Sequence, residues 1–232
     1  MSLGDELTDR IAEIFRSQWS TRAGRVVPES GDLTLANEAV DFPEATVLYA
    51  DISGSTQLVD NHDWRFAGEI YKSFLYAAAR VITSEGGAVT AYDGDRVMAV
   101  FIGNDKNTAA ARTALKLNYC AKMIVNPLLR KQYLDSSYEL RHTVGVDVSP
   151  IRAARTGARG SNDLVWIGRA ANYAAKLTSL SDQYASWITA EVYARLNESL
   201  KTTNGEAMWE AANETAMGNH TIYRSTWWWK VK

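Results

Sequence analysis

Two aspartates at the edges of apolar runs constrain this 232-residue chain more than any other feature. Asp51 closes the run Val47-Leu48-Tyr49-Ala50 and is followed by Ile52-Ser53-Gly54-Ser55-Thr56. Asp95 follows Tyr92-Asp93-Gly94 and opens onto Arg96-Val97-Met98-Ala99-Val100-Phe101. Apolar runs of this length, bounded by Gly-containing turns, predict buried strands. A carboxylate at such a strand end is costly to bury unless its charge is compensated. Two of them brought together repel, and a hard divalent cation is the usual remedy.

Periodicity supplies the frame around these strands. Leu7, Ile11, Ile14, Phe15 and Trp19 fall on one face, which predicts an amphipathic helix over 4–20. A polar Gly- and Pro-containing stretch follows to about residue 44, so residues 1–43 read as an N-terminal extension and 44–232 as the main domain. The core is expected to start with a strand over 45–51 and to continue with a helix over 65–84, stopped by Gly86-Gly87. Strands over 88–92 and 96–102 flank Asp93-Gly94, a strong hairpin signal. A helix over 107–125 should end near Pro127, and a strand over 139–148 should stop before Pro150. Residues 152–163, with Arg152, Arg155 and Arg159, read as a polar loop. A short strand over 164–167, a helix over 170–180, a strand over 187–189 and a short helix over 191–196 complete the pattern. Strand, helix, strand, strand, helix, strand is the ferredoxin-like α+β order.

Bulk properties exclude several classes. The net charge of −2 lacks the basic excess of a general nucleic-acid binder. One cysteine, Cys120, rules out a disulfide framework or a cysteine zinc cluster, and His62, His142 and His220 show no ligand spacing. No apolar run reaches the roughly 18 residues of a membrane span. The start, Met1-Ser2-Leu3-Gly4-Asp5-Glu6, lacks the layout of a signal peptide. A cytoplasmic chain with no nucleic-acid or membrane partner is the expectation.

The segments Tyr49-Ala50-Asp51-Ile52-Ser53-Gly54-Ser55-Thr56 and Gly94-Asp95-Arg96-Val97-Met98-Ala99-Val100-Phe101 resemble, in order, two signatures of the class III nucleotide cyclases. Gly168-Arg169-Ala170-Ala171-Asn172-Tyr173-Ala174-Ala175-Lys176 resembles a third. Three ordered motifs make a specific signal where one would be weak. The resemblance implies a ferredoxin-like class III cyclase core with an N-terminal helical extension. It implies two divalent cations, Mg²⁺ or Mn²⁺, held by Asp51, Asp95 and the Ile52 carbonyl, which promote attack of the ribose 3′-oxygen on the α-phosphorus. Asn172 would position the ribose and Lys176 would steady the charge on phosphorus. The family usually carries Arg at the last position; lysine offers a point charge without the bidentate fork, so the role could pass to a neighbour such as Arg169. Because the family divides the metal and ribose residues between subunits, a homodimer with two shared sites is implied.

The base pocket departs from the purine-specific members. Ala91 and Val165 stand where those enzymes carry polar base-reading residues, and Tyr49 replaces the usual Phe. Tyr49 lies two residues before Asp51, so both side chains share a strand face. This combination is similar to the pyrimidine cyclases of the Pycsar bacterial antiphage systems, which make cyclic UMP or cyclic CMP for a separate cyclic-nucleotide effector. UTP is favoured over CTP, because the Tyr49 hydroxyl or Arg96 can donate to the carbonyls of uracil. The family's late phosphate lysine has no counterpart before Gly218, and Arg155 is the candidate substitute. A divergent adenylate or guanylate cyclase, or an inactive nucleotide-binding module, remain as alternatives. The Trp227-Trp228-Trp229 tail reads as a packing anchor.

Overall fold

A computed structural model of the chain describes residues 2–214 and 217–231. In order, the elements are α1 (Leu3–Arg16), β1 (Ser20–Ala23), β2 (Glu38–Ile52), α2 (Ser55–Asn61), α3 (Trp64–Ser84), β3 (Ala88–Asp93), β4 (Arg96–Phe101), α4 (Lys106–Tyr119) and α5 (Asn126–Gln132). They continue with β5 (His142–Ala158), β6 (Ser161–Ile167), α6 (Arg169–Leu177), β7 (Ser186–Thr189), α7 (Ala190–Ala194), a small hairpin of β8 (Thr202–Thr203) and β9 (Glu206–Ala207), β10 (Glu210–Glu214) and β11 (His220–Ser225).

The central sheet runs β10-β11-β7-β5-β2-β4-β3, with β1 added to the start of β2 and β6 to the far half of β5. Its middle, β5-β2-β4-β3, is the ferredoxin-like arrangement expected from the element order. Strand alternation sorts the side chains into two cores. Leu48, Ala50, Val97, Ala99, Val144 and Val146 face α3 and α4, whereas Val47, Met98, Val100 and Ile151 face α6. Gly145 lets α6 lie directly on the sheet: a Cβ there would sit 2.1 Å from the Ala174 carbonyl oxygen. Asp51 and Tyr49 share the parity of Val47, so the Asp51 end of β2 is turned to the α6 side.

Several boundaries differ from the sequence expectations, each for a physical reason. Strand β2 begins at Glu38 rather than residue 45, because a bulge between Phe42 and Ala45 absorbs Pro43 and restores the inward alternation. Strand β5 does not stop at Pro150, which lies opposite that bulge, and residues 152–163 are no loop: β5 and β6 form an antiparallel ribbon from Arg152↔Ile167 to Ala158↔Ser161. The helical path does not end near Pro127. A π-turn over Cys120–Val125 precedes α5, where Pro127 sits in the first turn and its missing N–H costs nothing. Helix α1 ends at Arg16, short of the expected 20, and Ser20–Ala23 pairs with β2 in parallel. The Trp-rich tail does act as an anchor: Asn118 holds the Thr226 and Trp227 carbonyls, and Trp227 and Trp229 pack on the core.

Candidate active site

Strand pairing brings the two signature aspartates together. Asp51 lies at the end of β2, between β4 on one side and Thr143 of β5 on the other. Asp95 lies in the β3–β4 turn, where Gly94 takes φ 60° and lets the hairpin close tightly. The carboxyl of Asp51 is held above its ordinary value first by burial; the Arg96 guanidinium pulls it down, and the neighbouring Asp95 carboxylate pushes it up again. Arg96 reaches Asp51 Oδ2 with Nη2 at 3.0 Å and Nε at 3.3 Å. Asp95 Oδ2 is buried with no hydrogen-bond partner. A buried, unpartnered carboxylate oxygen beside a second carboxylate fits a hard cation. Among the described residues no third carboxylate, histidine or cysteine joins them. The two carboxylates are the donors that the side chains here offer to such a cation.

Arg96 was expected at the base edge. Instead its guanidinium supplies the positive charge beside Asp51 and lies 5.9 Å from the centre of the Tyr49 ring. Tyr49 and Ala91 pack against the same core, together with Met98 and Val100. Burial pushes the Tyr49 hydroxyl up, so it stays a neutral donor. Val165 does not join them within one chain. Its neighbours Leu164 and Trp166 face that core, and Val165 is exposed on the opposite side of β6.

Helix α6 carries Asn172 and Lys176 one turn apart on its exposed face, and Lys176 Nζ lies 5.9 Å from the Tyr173 ring. The neighbour considered as a replacement for Lys176 is engaged elsewhere. Arg169 Nε and Nη2 each lie 3.1 Å from the Asp147 carboxylate, Nη1 lies 2.7 Å from Glu191 Oε1, and Nη2 also donates to the Val148 carbonyl. Asp147 is fully buried and accepts a further bond from Thr189 Oγ1 at 2.6 Å. This network pins the start of α6 to β5 and β7. Arg155, expected at the triphosphate, is also structural: it donates to Asn162 Oδ1 at 2.7 Å and to the Leu33 carbonyl at 2.9 Å, tying the β5–β6 ribbon to the segment before β2. Arg152 pairs with Asp41, and Arg159 is exposed in the ribbon's turn.

Other residues enter the site without having been singled out in the sequence. Tyr71 of α3 has its hydroxyl pushed up by burial first and then by the charge of Asp95. A cavity of about 680 Å³ begins directly after Ile52, at Ser53 and Gly54, and is also lined by Gln57, Tyr138, Arg141 and Asp182. The Tyr138 hydroxyl is buried without a partner and pushed up to about 12, mainly by burial. Arg141 is the cavity's cation; it is paired with Asp182 at 3.1 Å and largely exposed. Its place just before β5 was visible, but no short-range pattern connects residue 141 to residue 53.

Paired carboxylates on a ferredoxin-like sheet, with a polar cavity beginning just after them in the chain, define an α+β domain with a candidate cation site. Residues 38–223 match the adenylate and guanylate cyclase catalytic domain. The chain belongs to this family, and it is a nucleotide cyclase. It is 50% identical to the uridylate cyclases of Xanthomonas perforans and Burkholderia cepacia, over 232 residues and the full length of each chain. The crystal structure of the adenylyl cyclase CyaB from P. aeruginosa superposes with a TM-score of 0.68 at 21% identity, covering 81% of this chain and 95% of that one. No helix among the described residues is long and apolar enough to cross a membrane.

Proposed function

We propose that this chain converts UTP to 3′,5′-cyclic UMP and diphosphate. One observation carries the reading: two relatives at 50% identity over their whole length are both uridylate cyclases. The pocket agrees with it. Ala91 beside Tyr49 offers no polar partner to a purine edge, nor would Val165 if a second chain brought it there, while the Tyr49 hydroxyl is kept as a neutral donor by burial. A base whose polar edge finds no partner is strongly disfavoured, so a small ring reached by one tyrosine donor is the better fit.

In this reading Asp51, Asp95 and the Ile52 carbonyl hold two divalent cations, which supply activation of the 3′-oxygen and charge neutralisation at phosphorus. With a cation held there, Asp51 would no longer need Arg96, whose guanidinium would stay beside Tyr49 to meet the base. Asn172 orients the ribose, and Lys176 provides a point charge at the α-phosphate. With Arg155 and Arg169 engaged in the fold, the cavity at Ser53, Gly54, Tyr138 and Arg141 is the place for the polyphosphate tail. Arg141 then leaves Asp182 for phosphate oxygens, and Arg141→Ala should raise the KM for the triphosphate about tenfold, the worth of one charge-assisted hydrogen bond. The exposed Asn172 face of one chain meets the Asp51 cluster of another, giving a homodimer with two shared sites. A cytoplasmic second-messenger role in antiviral defence, with a separate cyclic-UMP effector, follows from the same reading.

The test is turnover of ATP, GTP, CTP and UTP by purified protein with Mn²⁺, with products read by mass spectrometry. Cyclic UMP should dominate by kcat/KM. Preference for CTP moves the assignment to the other pyrimidine, and preference for a purine overturns it.

A further inference from the structure

Two apolar surfaces lie outside the active site. The first is helix α1, which has no buried residue although Leu3, Leu7, Ile11, Ile14 and Phe15 form a single stripe along it. Its ties to its own chain are polar: Arg10 donates to the Leu35 carbonyl, and Asn37 donates to the carbonyls of Ile14 and Ser17. The second is a groove of about 500 Å³ between α3 and α5, lined by Ile70, Ala77, Val81, Ile124, Leu128 and Leu129 among others. Its lip is also apolar, with Tyr76 71% and Leu128 60% exposed.

We propose that α1 of one copy of this chain seats its apolar stripe in the α3/α5 groove of a second copy. An isolated helix of 14 residues is marginal in water, so the stripe needs an apolar partner that its own chain does not provide. The dimensions match: 14 helical residues span about 21 Å, and the groove follows α3 from Glu69 to Val81, about 18 Å. The charges match as well. Helix α1 carries Asp5, Glu6, Asp9 and Glu13 against Arg10 and Arg16, an acidic excess. Of the charged residues lining the groove, Glu69 is bonded to the Tyr133 hydroxyl and Arg80 is in no ion pair among the described residues, and Lys72 and Lys131 lie one turn from Tyr76 and Leu128, also outside any such pair. The same acidic excess argues against a lipid surface, because helices that lie on anionic membranes carry lysine and arginine on the polar face. The contact does not depend on which nucleotide the enzyme cyclises.

Cross-linking tests the contact directly. In a Cys120→Ala background, one preparation carries Ile11→Cys and another Leu128→Cys, both at exposed positions. Mild oxidation of the mixture should give a disulfide-linked heterodimer that neither preparation gives alone. A cross-link within the Ile11→Cys preparation would mean that α1 pairs with α1, and no cross-link in the mixture would mean that the groove is not its seat; either overturns the proposal. Sedimentation provides a second arm, since Leu7→Glu and Leu128→Glu should each weaken the same association at least tenfold. Wild-type protein pelleting with phosphatidylglycerol vesicles, and losing this with Leu7→Glu, would place α1 on a membrane and sink the proposal.

Discussion

Two carboxylates in this molecule, the buried Asp147 and the partly buried Asp51, each face an arginine, and they are built to opposite ends. Asp147 accepts from Arg169 and Thr189, and Glu191 takes the remaining edge of the same guanidinium. Asp51 accepts from Arg96 alone, with the Asp95 carboxylate beside it and one oxygen of Asp95 left without any partner. Burial pushes the carboxyls of Asp51 and Asp147 up, so neither gains by being buried. The difference lies in completeness. A closed network fixes one geometry and holds α6 in place, whereas an incomplete one keeps coordination capacity for a ligand.

The sharpest way to break this contrast is to remove the incomplete pair. Asp51→Asn or Asp95→Asn should lower turnover by roughly 10³-fold or more, since metal-assisted charge stabilisation is worth several kcal/mol. Folding should be preserved, because each substitution also relieves repulsion between the two carboxylates. Chelation of divalent cations should reproduce the loss in the unsubstituted protein. Steady-state assays beside thermal unfolding decide the matter: near-normal activity in either variant would mean that the pair does not serve catalysis.

The closed network should respond in stability. Arg169→Ala leaves Asp147 buried and uncompensated, and about 3 kcal/mol should be lost, at the low end for a broken buried pair because a third of the Arg169 side chain is exposed. Urea unfolding measures it. A loss below about 1 kcal/mol, the scale of a surface pair, would show that water enters to replace the arginine.

The distinction between the two clusters was only partly legible in the sequence. The strands bearing Asp51 and Asp95 and the helix bearing Asn172 announce themselves, because apolar runs, a Gly turn and a helical period are local signals. The partners of those residues are not local. Nothing near Arg96 marks it for Asp51, and Arg155 looks like a loop arginine until the far half of β5 pairs with β6. That ribbon was misread because its polar residues alternate on a two-sided surface, where hydrophobic patterning is weak. Asp147, inside Val144-Gly145-Val146-Asp147-Val148, was the one visible hint of a buried network. Tyr71 and Arg141 reach the site only through packing of segments far apart in the chain.

His142 sharpens the comparison, because an unpartnered buried atom alone does not make a site. Its Nε2 is buried without a partner among the described residues, and the ring lies 5.5 Å from the Phe74 ring, with the Lys122 charge near enough to oppose its protonation as burial does. Burial lowers its pKa to about 4 from 6.5. With the folded value below the unfolded one, its contribution is complete above pH 6.5 and is lost as pH falls toward about 4. Unfolding free energy should therefore drop by about 2 to 3 kcal/mol between neutrality and about pH 4.5 through this group. His142→Phe should flatten that part of the profile. An unchanged acid slope would mean that the ring is already solvated or protonated in the native state.

The smallest effect tests Tyr49, the neighbour that the Asp51 cluster shares with the proposed base site. Tyr49 lies on the same strand face as Asp51, with Arg96 between them, so it can affect either metal binding or base choice. Tyr49→Phe removes only the hydroxyl and keeps the ring that packs with Ala91 and Met98. If the hydroxyl donates to a uracil carbonyl, kcat/KM for UTP should fall about fivefold, the worth of roughly 1 kcal/mol for one neutral hydrogen bond. Residual turnover of ATP and GTP should barely change, because they never gain that bond. If the hydroxyl instead steadies Arg96 against Asp51, all triphosphates should slow together and the Mn²⁺ concentration giving half-maximal activity should shift. A uniform loss with a shifted metal requirement would therefore move Tyr49 out of the base pocket and into the incomplete carboxylate cluster.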